Sequence, residues 1–360
     1  MTKPRARALG LPFPGQPGPF NAITDVPGVR VGFTTLTDPA RHMRTGVTAI
    51  LPRAEKDSPS PVWAGFHSLN GNGEMTGVHW VNDAGYFIGP VCITNTHGVG
   101  AVHTGVTEWM IATYAKHFKE EHAWAMPIVA ETYDGVLSDI NAMFVKPEHA
   151  VAALNAAQSG HVAEGSSGGG NGMICYDFKG GTGTSSRQIV IGGVTYTVGV
   201  LVQANFGSRP WLTVLGVPVG REMAEGWQRT KETGSIIVVI ATDAPLSDAI
   251  LRQLAKRASL GIARSGTPGG NNSGDIFLAF SVADPLPDSL HAGPVMTRHA
   301  LNWEELDPLY EAAVQAVDES VVNAIVAGED VPTFKPAGFI CPAIDTRRLM
   351  QVMAAYGRTK

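Results

Sequence analysis

The chain has 360 residues, of which 44% are hydrophobic and 16% charged, and its formal net charge is −5 at pH 7. This composition supports a large buried core and argues against a disordered chain. The acidic balance and the lack of a basic stripe argue against nucleic acid as a partner. Three widely spaced cysteines, Cys92, Cys175 and Cys341, do not form a disulfide framework and are typical of a reducing compartment.

The N-terminal segment, residues 1–20, is rich in proline and glycine and predicts an extended arm. It carries charges but lacks the apolar centre of a secretory signal. The chain also lacks a run of about 18 apolar residues, which a membrane-spanning helix would need. We therefore expect a cytoplasmic protein that binds neither nucleic acid nor membrane.

Strands and helices follow one another irregularly through the first two thirds of the chain. Alternating apolar residues predict strands, and apolar residues three or four apart predict helices. Gly192 and Gly193 separate two alternating runs, which is a strong hairpin signal. The predicted strands lie in VRVGFTTL, TGVTAILP, PVCIT, MICYDF, QIVIGGVTYTVGVLVQANFG and SIIVVIATDA, and the predicted helices in GVGAVHTGVTEWMIATYAKHF and EHAVAALNAA.

The last third predicts helix, strand and helix. A polar connector, WQRTKETGS, precedes it and is expected to be exposed. Ser247 is the predicted N-cap of a helix that Gly266 ends. The segment DIFLAFSVA predicts a strand buried on both faces. The segment EELDPLYEAAVQAVDESVVNAIVAG predicts an amphipathic helix with its apolar stripe at Val314, Val317 and Val321. This order of elements predicts a layered α/β sandwich with mixed sheets.

The segment TPGGNNSGDIFLAFS, residues 267–281, places a serine between a turn and a buried strand. On composition alone, Ser273 is a turn residue. A serine at a chain N-terminus is a better nucleophile, because its own α-amine, with a pKa of about 7.7–8.0, can remove the hydroxyl proton. Ser273 reaches that state only if the Asn272–Ser273 bond is cut, by attack of its hydroxyl on the Asn272 carbonyl and hydrolysis of the ester. The small residues before it allow the strained turn that such an attack needs.

Other motifs are weaker. GSSGG around Ser167 matches a nucleophile elbow, but it lacks the strand before it and the helix after it. The glycine-rich loops GSSGGGNG and GGTGTSSR lack the ending of a phosphate loop and predict close backbone packing. His67, His79, His97 and His103 show no ligand spacing, so we expect no metal and no organic cofactor.

Four polar residues near apolar runs are candidates for a site. Asn205 ends a buried strand, where its amide is either a turn group or a donor to an oxyanion. Glu131, with Tyr133 beside it, either holds a substrate ammonium group or belongs to a solvated loop. Asp318 adjoins the stripe of the last helix, where it either orients the surroundings of the nucleophile or is solvated, whereas Glu319 faces further away.

The chain resembles the self-processing N-terminal-nucleophile aminopeptidases, which include the L-aminopeptidase/D-Ala-esterase/amidases and the β-aminopeptidases (DmpA-like); the nylon-oligomer hydrolases are more distant. The similarity runs over most of the chain, in order. It is carried by ITDVPGVRVGFTT, LNGNGEMTG, AETYDGVLSDIN, GNGMICYDFKGGTGTSSR, VGVLVQANFG, NNSGDIFLAFS and AAVQAVDESVVNAI.

The resemblance implies one domain, residues 1–360, with a four-layer αββα sandwich fold that differs in connectivity from classical N-terminal nucleophile hydrolases. It implies self-cleavage into an α chain, residues 1–272, and a β chain, residues 273–360. By position, Ser273 is the nucleophile, Asn205 the oxyanion donor and Glu131 the amine anchor, with Tyr133 nearby. Some members carry Ser-x-Glu in the last helix, where this chain has Ala316 and Asp318.

The predicted function is that of a serine aminopeptidase or amidase that acts on small peptides, amides or esters with a free amine. The family is usually oligomeric, so a homo-oligomer, often a tetramer of αβ units, is expected. Two alternatives remain: an amidase of the same fold acting on a pantetheine-like amide or an ω-amino-acid oligomer, and an uncleaved, non-catalytic binding protein.

Overall fold

The computed structural model describes residues 3–53, 59–284, 293–295 and 297–359. The strands in this part of the chain are β1 (Arg30–Asp38), β2 (Met43–Leu51), β3 (Pro61–Ser68), β4 (Tyr86–Ile88), β5 (Val91–Asn95), β6 (Ile128–Thr132), β7 (Ile174–Cys175), β8 (Phe178–Lys179), β9 (Gly181–Ile191), β10 (Val194–Asn205), β11 (Ser235–Thr242), β12 (Gly274–Ser281), β13 (Val331–Pro332) and β14 (Ile340–Cys341). The helices are α1 (Val78–Ala84), α2 (Val99–Thr113), α3 (Ala115–Glu120), α4 (Pro147–Asn155), α5 (Val219–Glu222), α6 (Asp248–Arg264), α7 (Asp307–Val326) and α8 (Thr346–Ala355).

Two mixed sheets form the centre of the molecule. One has four strands in the order β1–β2–β5–β6, and the other has six in the order β4–β3–β12–β11–β10–β9. Neighbours are antiparallel except for the pairs β5–β6 and β11–β12. Because β11 and β12 run parallel and β10 runs against them, the starts of β11 and β12 and the end of β10 lie at one edge of the larger sheet.

The two sheets stack face to face, and helices cover their outer faces. Ile50 and Ile93 of the smaller sheet share a buried cluster with Leu201, Ile237 and Leu278 of the larger sheet. Helices α2 and α4 pack on the smaller sheet, and α6 and α7 on the larger one. The predicted four-layer αββα sandwich is therefore confirmed.

Several local predictions are also confirmed. Gly192 and Gly193 have φ of +60° and +81°, which a two-residue hairpin turn between right-twisted strands requires. The Ser247 side chain caps α6 by accepting from the backbone N–H of Ile250 at 3.4 Å. All eight residues of β12 are buried, as expected for a strand covered on both faces.

Three local predictions are wrong. Helix α7 is buried all round from residue 312 to residue 326, because the N-terminal arm, α6 and the sheet cover it on different sides. The arm, of which residues 1 and 2 lie outside the described residues, is not extended, since it turns at residues 6–10 and buries Leu11 and Phe13. MICYDF is not one strand: Tyr176 and Asp177 have positive φ and form a tight turn between β7 and β8.

The connector WQRTKETGS meets the expectation in part. Thr230, Lys231 and Thr233 are exposed, but the last two residues, Gly234 and Ser235, are buried. In the part of the chain that the structure describes, no helix has both the length and the apolar character needed to cross a membrane.

Candidate active site

Polar side chains from three neighbouring strands meet at one edge of the larger sheet. Asn205 ends β10 and lies opposite Ser235, the first residue of β11, which in turn lies beside Gly274 at the start of β12. Neighbouring strands are about 4.8 Å apart. Asn205 is therefore one strand away from Ser235 and two strands, about 10 Å, away from Ser273.

Ser273 is held in a turn just before β12. Its side chain is buried, its backbone N–H donates to the Gly270 carbonyl at 2.9 Å, and its Oγ donates to Asp275 Oδ1 at 2.5 Å. The carbonyl oxygen of the preceding residue, Asn272, accepts from Asn72 Nδ2 at 2.7 Å. A serine bonded to a carboxylate is thus combined with a preceding carbonyl that a side-chain amide polarises.

Asp275 is the carboxylate of this edge and was not singled out in the sequence. Burial raises its pKa to about 6, against the hydrogen bonds from Ser273 and Asn70, which favour the ionised form. A carboxylate with that pKa can accept and return a proton near neutral pH. The Ser-x-Asp spacing of Ser273 and Asp275 was the available signal, because it puts both side chains on one face of the chain.

Asn205 points toward the smaller sheet. Its Nδ2 donates to the Tyr133 carbonyl at 2.9 Å, and its Oδ1 accepts from the Ile174 N–H at 2.8 Å. These two bonds fix the orientation of the amide, so that its donor faces the space between the sheets. Ser235 is the direct cross-strand partner of Asn205 and shares this face of the sheet.

Glu131 lies across that space, at the end of β6, and is buried rather than in a solvated loop. It accepts from the Glu74 N–H at 3.0 Å and from the Thr96 hydroxyl. Burial raises the pKa of Glu131, and these donors oppose that rise. Tyr133 follows with a half-exposed ring, and its backbone carbonyl accepts the hydrogen bond from Asn205.

Ser235 is a second site residue, after Asp275, that the sequence predictions missed. It is buried, and its Oγ accepts from the Gly274 N–H at 3.3 Å. The residue before it must be glycine, because a Cβ on Gly234 would lie 1.8 Å from the carbonyl oxygen of Asn205. The signal was a serine between an exposed connector and a buried strand, which is close to the pattern that singled out Ser273.

Asp318 is not brought to this edge. It lines a separate cavity of about 470 Å³ with Pro12, Pro14, Leu215, Gly216, Arg264 and Arg358. Burial raises its pKa to about 7, which the Arg264 guanidinium opposes. The cavity lining contains neither Ser273 nor Asn205, so the placement gives no support to a catalytic role for Asp318.

The other motifs considered in the sequence contribute to packing and turns. The Ser167 hydroxyl donates to the Glu164 carbonyl at 3.3 Å, ahead of a 3-10 turn, Gly168–Gly172, and not at an elbow between strand and helix. The glycines there allow close approach, since a Cβ on Gly181 would lie 2.0 Å from the Gly165 carbonyl oxygen. Within residues 3–53, 59–284, 293–295 and 297–359, no three His, Cys, Asp or Glu side chains form a group that could hold a metal ion.

Comparisons with known proteins find similarity to aminopeptidases. The model of peptidase family S58 matches residues 21–337. Beta-peptidyl aminopeptidase BapA of Sphingosinicella microcystinivorans is 47% identical, over 99% of this chain and 93% of that protein. The solved L-aminopeptidase D-Ala-esterase/amidase of Ochrobactrum anthropi, described as a serine aminopeptidase with a variant of the Ntn hydrolase fold, has a TM-score of 0.95 and 53% identity, covering 99% of this chain and 100% of that one. A Burkholderia sp. beta-aminopeptidase has a TM-score of 0.89 and 45% identity, covering 98% and 99%.

Proposed function

We propose that this chain releases the N-terminal residue of short peptides, amides or esters through an ester on a serine at the edge of the larger sheet. The chain belongs to peptidase family S58 and is a serine aminopeptidase of that family. The observation that carries this proposal is the direct opposition of Ser235 and Asn205, on the face of the sheet toward Glu131. In this proposal, the nucleophile, the oxyanion donor and the amine anchor surround one space.

We propose that Ser235 is the nucleophile. An oxyanion donor must lie about 3 Å from the oxygen of the attacked carbonyl, which favours the serine one strand away from Asn205 over the serine two strands away. Ser273, named from the sequence, stays the alternative nucleophile, and the bond from Asn72 to the Asn272 carbonyl supports it. With Ser235 as nucleophile, Ser273 and Asp275 lie on its other side and handle protons.

The nucleophile is exposed by self-cleavage in this proposal. Ser235 Oγ adds to the Gly234 carbonyl carbon, the peptide C–N bond breaks, and the freed nitrogen takes the proton. Water then hydrolyses the ester, returning a proton to Oγ and leaving a carboxylate on Gly234. Because no α-amine exists before the cut, the Ser235 Oγ proton passes through Ser273 to Asp275, to which Ser273 is already bonded, and Asp275 then gives it to the freed nitrogen.

In each turnover, the new α-amine removes the proton from Ser235 Oγ as Oγ attacks the substrate acyl carbon. Asn205 Nδ2 donates to the oxyanion, and the departing amine or alcohol takes the proton. Water then hydrolyses the ester and releases the amino acid. These steps need only the chain's own groups and water.

Glu131 is proposed to bind the free amine of the substrate. An ammonium group beside a buried carboxylate stabilises its ionised form, which offsets the effect of burial on the pKa of Glu131. Peptides with α- and β-amino acids both offer this group. The alternative of an amidase acting on a pantetheine-like amide or an ω-amino-acid oligomer needs no such anchor, whereas membership of an aminopeptidase family argues against the non-catalytic alternative.

The test compares the p-nitroanilides of an α- and a β-amino acid with their N-acetyl forms. We expect hydrolysis of the free-amine substrates and at least about a hundredfold lower kcat/KM for the acetylated ones, because acetylation removes the charge that Glu131 binds. Equal kcat/KM for the two forms would refute the amine anchor and favour the amidase alternative.

We also propose the homo-oligomer expected from the resemblance, with a tetramer of αβ units as the form to test. Trp124 is 60% exposed at the rim of an apolar cavity of about 290 Å³ that Trp80 and Phe118 also line. Exposed apolar surface of this kind is typical of protein–protein contacts. Light scattering coupled to gel filtration measures the assembly; a monomer at micromolar concentration would contradict it.

A further inference from the structure

Asn70 connects the loop after β3 to the edge that holds the reactive groups. Its Nδ2 donates to Asp275 Oδ2 at 3.2 Å and to the Gly270 carbonyl at 3.1 Å. Both partners are acceptors, so only the NH₂ end of the amide fits there. The backbone of the same loop is fixed as well, because the Leu69 N–H donates to the Asp275 carbonyl at 2.9 Å and Ser68 Oγ donates to the Asn70 carbonyl at 3.0 Å.

The two oxygens of Asp275 are divided between two donors. Oδ1 accepts from Ser273 Oγ, and Oδ2 accepts from Asn70. A carboxylate rotates about its Cβ–Cγ bond unless both oxygens are held. The bond to Asn70 therefore fixes the plane in which Oδ1 faces Ser273.

The other groups around Asp275 make this donor important. The Glu232 carboxylate opposes ionisation of Asp275, and the Ile236 N–H favours it. The Asp275 carboxylate contributes to the raised pKa of the Tyr176 hydroxyl, and the His67 ring contacts Phe277, two residues along β12. Burial, and not a paired cation, therefore has the largest effect on the pKa of Asp275. Hydrogen bonds from neutral donors such as Asn70 favour the ionised form and oppose the effect of burial.

We propose that Asn70 is a positioning residue for self-cleavage and for turnover, which acts by holding Asp275 with one oxygen toward Ser273. This inference rests on the proposed function, in which Asp275 accepts a proton through Ser273. Asn70 touches neither the substrate amine nor the attacked carbonyl in that scheme, so its loss should affect proton transfer and leave substrate affinity unchanged.

Self-cleavage of freshly synthesised precursor is the sharpest readout, because the α-amine that would dominate the pH profile of turnover does not yet exist. The rate is measured from pH 5 to pH 9 for the wild type, Asn70→Ala, Asn70→Asp and Asp275→Asn. Asn302→Ala is the matched control, since the Asn302 side chain lies at an exposed position and caps a short turn by accepting from the Glu304 N–H.

We expect the wild-type rate to fall as pH drops through about 6, the pKa of Asp275. Asn70→Ala removes a donor to the ionised form, which raises that midpoint by about one pH unit and slows the plateau by about tenfold. Asn70→Asp, nearly isosteric, places a second carboxylate beside Asp275 and raises the midpoint further. After processing, Asn70→Ala should lower kcat and leave KM unchanged, and Asn302→Ala should match the wild type.

Thermal unfolding of each variant separates positioning from folding. The positioning role is refuted if both Asn70 variants keep the wild-type pH midpoint of self-cleavage and lose cleavage rate only in proportion to their lost thermal stability. If Asp275→Asn cleaves at the wild-type rate, the proposed proton role of Asp275 falls. If Asp275→Asn cleaves slowly but both Asn70 variants keep the wild-type pH midpoint of self-cleavage, only the inference about Asn70 is overturned.

Discussion

Two buried polar regions of this molecule hold carboxylates in opposite ways. Beneath the N-terminal arm, Glu319 accepts from Arg187 at 2.7 Å, from Arg7 at 2.9 Å and from Asn21 at 2.6 Å, so guanidinium groups compensate its charge. Around the candidate site, Asp275 of the larger sheet and Glu131 of the smaller sheet accept only from neutral donors among the hydrogen bonds described for them.

The difference separates structure from chemistry. A carboxylate bonded to two guanidinium groups connects the arm, α7 and β9. A carboxylate buried among neutral donors has a raised pKa and can exchange a proton or bind an incoming ammonium group. Removing the charge should therefore have opposite effects on stability in the two regions.

The largest expected effect is on stability. Glu319→Gln leaves the side chain of Arg187 buried without its anion, which should lower the free energy of unfolding by about 3–5 kcal/mol. The kcat of the folded protein should not change, because Glu319 lies outside the candidate site. Urea unfolding measures the stability, and kcat normalised to the number of active sites measures the activity. An unchanged unfolding midpoint would show that the ion pairs of Glu319 do not stabilise the fold.

Asn205→Ala tests the oxyanion donor. Loss of such a donor typically lowers kcat by about 10²–10³. Asn205→Asp is the matched variant, which keeps the size of the side chain but replaces the donor with an acceptor. Both should lower kcat much more than they raise KM on an aminoacyl anilide, and a variant that loses only affinity would show that Asn205 binds substrate instead.

Asp275→Asn should stabilise the fold at pH 7 by about 3 kcal/mol, in contrast to Glu319→Gln. The folded-state pKa of Asp275, about 6, lies above the ordinary aspartate pKa of 3.8, so folding takes up a proton between these values and stability falls as pH rises through this window. The advantage of the variant should therefore vanish near pH 4. Unfolding midpoints at pH 4 and pH 7 decide this, and a destabilised variant at pH 7 would contradict it.

Glu131→Gln should give the smallest of these effects. The amide keeps the size of the side chain but not its charge, so kcat/KM for free-amine substrates should fall by about 10–100-fold, mostly through KM. Because burial raises the pKa of Glu131, the wild-type KM should rise as pH falls, and the variant should lose that dependence. A variant with the wild-type pH dependence of KM would show that another group binds the amine.

Local chemistry made most of the fold predictable. Gly192-Gly193, the Ser247 cap and the uninterrupted apolar run of β12 each act over a few residues, so the sequence carries their signal directly. What covers the second face of α7 is a long-range property, and the arm that buries it lies some three hundred residues away in the chain.

The candidate site was predictable only in part for the same reason. Glu131 and Asn205 were named from strand ends, and the structure places both at one space. The choice between Ser235 and Ser273 depends on the order of β10, β11 and β12 in the sheet, which no local pattern encodes. Asp318 looked accessible to the nucleophile because the sequence does not specify which side of α7 faces the sheet edge.

The most direct test of the account is the intact mass, under denaturing conditions, of purified wild type, Ser235→Ala and Ser273→Ala. If Ser235 is the nucleophile, the wild type gives fragments 1–234 and 235–360, Ser235→Ala remains a single uncut chain, and Ser273→Ala is cut slowly at the same bond. A wild-type boundary between Asn272 and Ser273 would instead make Ser273 the nucleophile, and an uncut wild-type chain with aminopeptidase activity would contradict self-cleavage altogether.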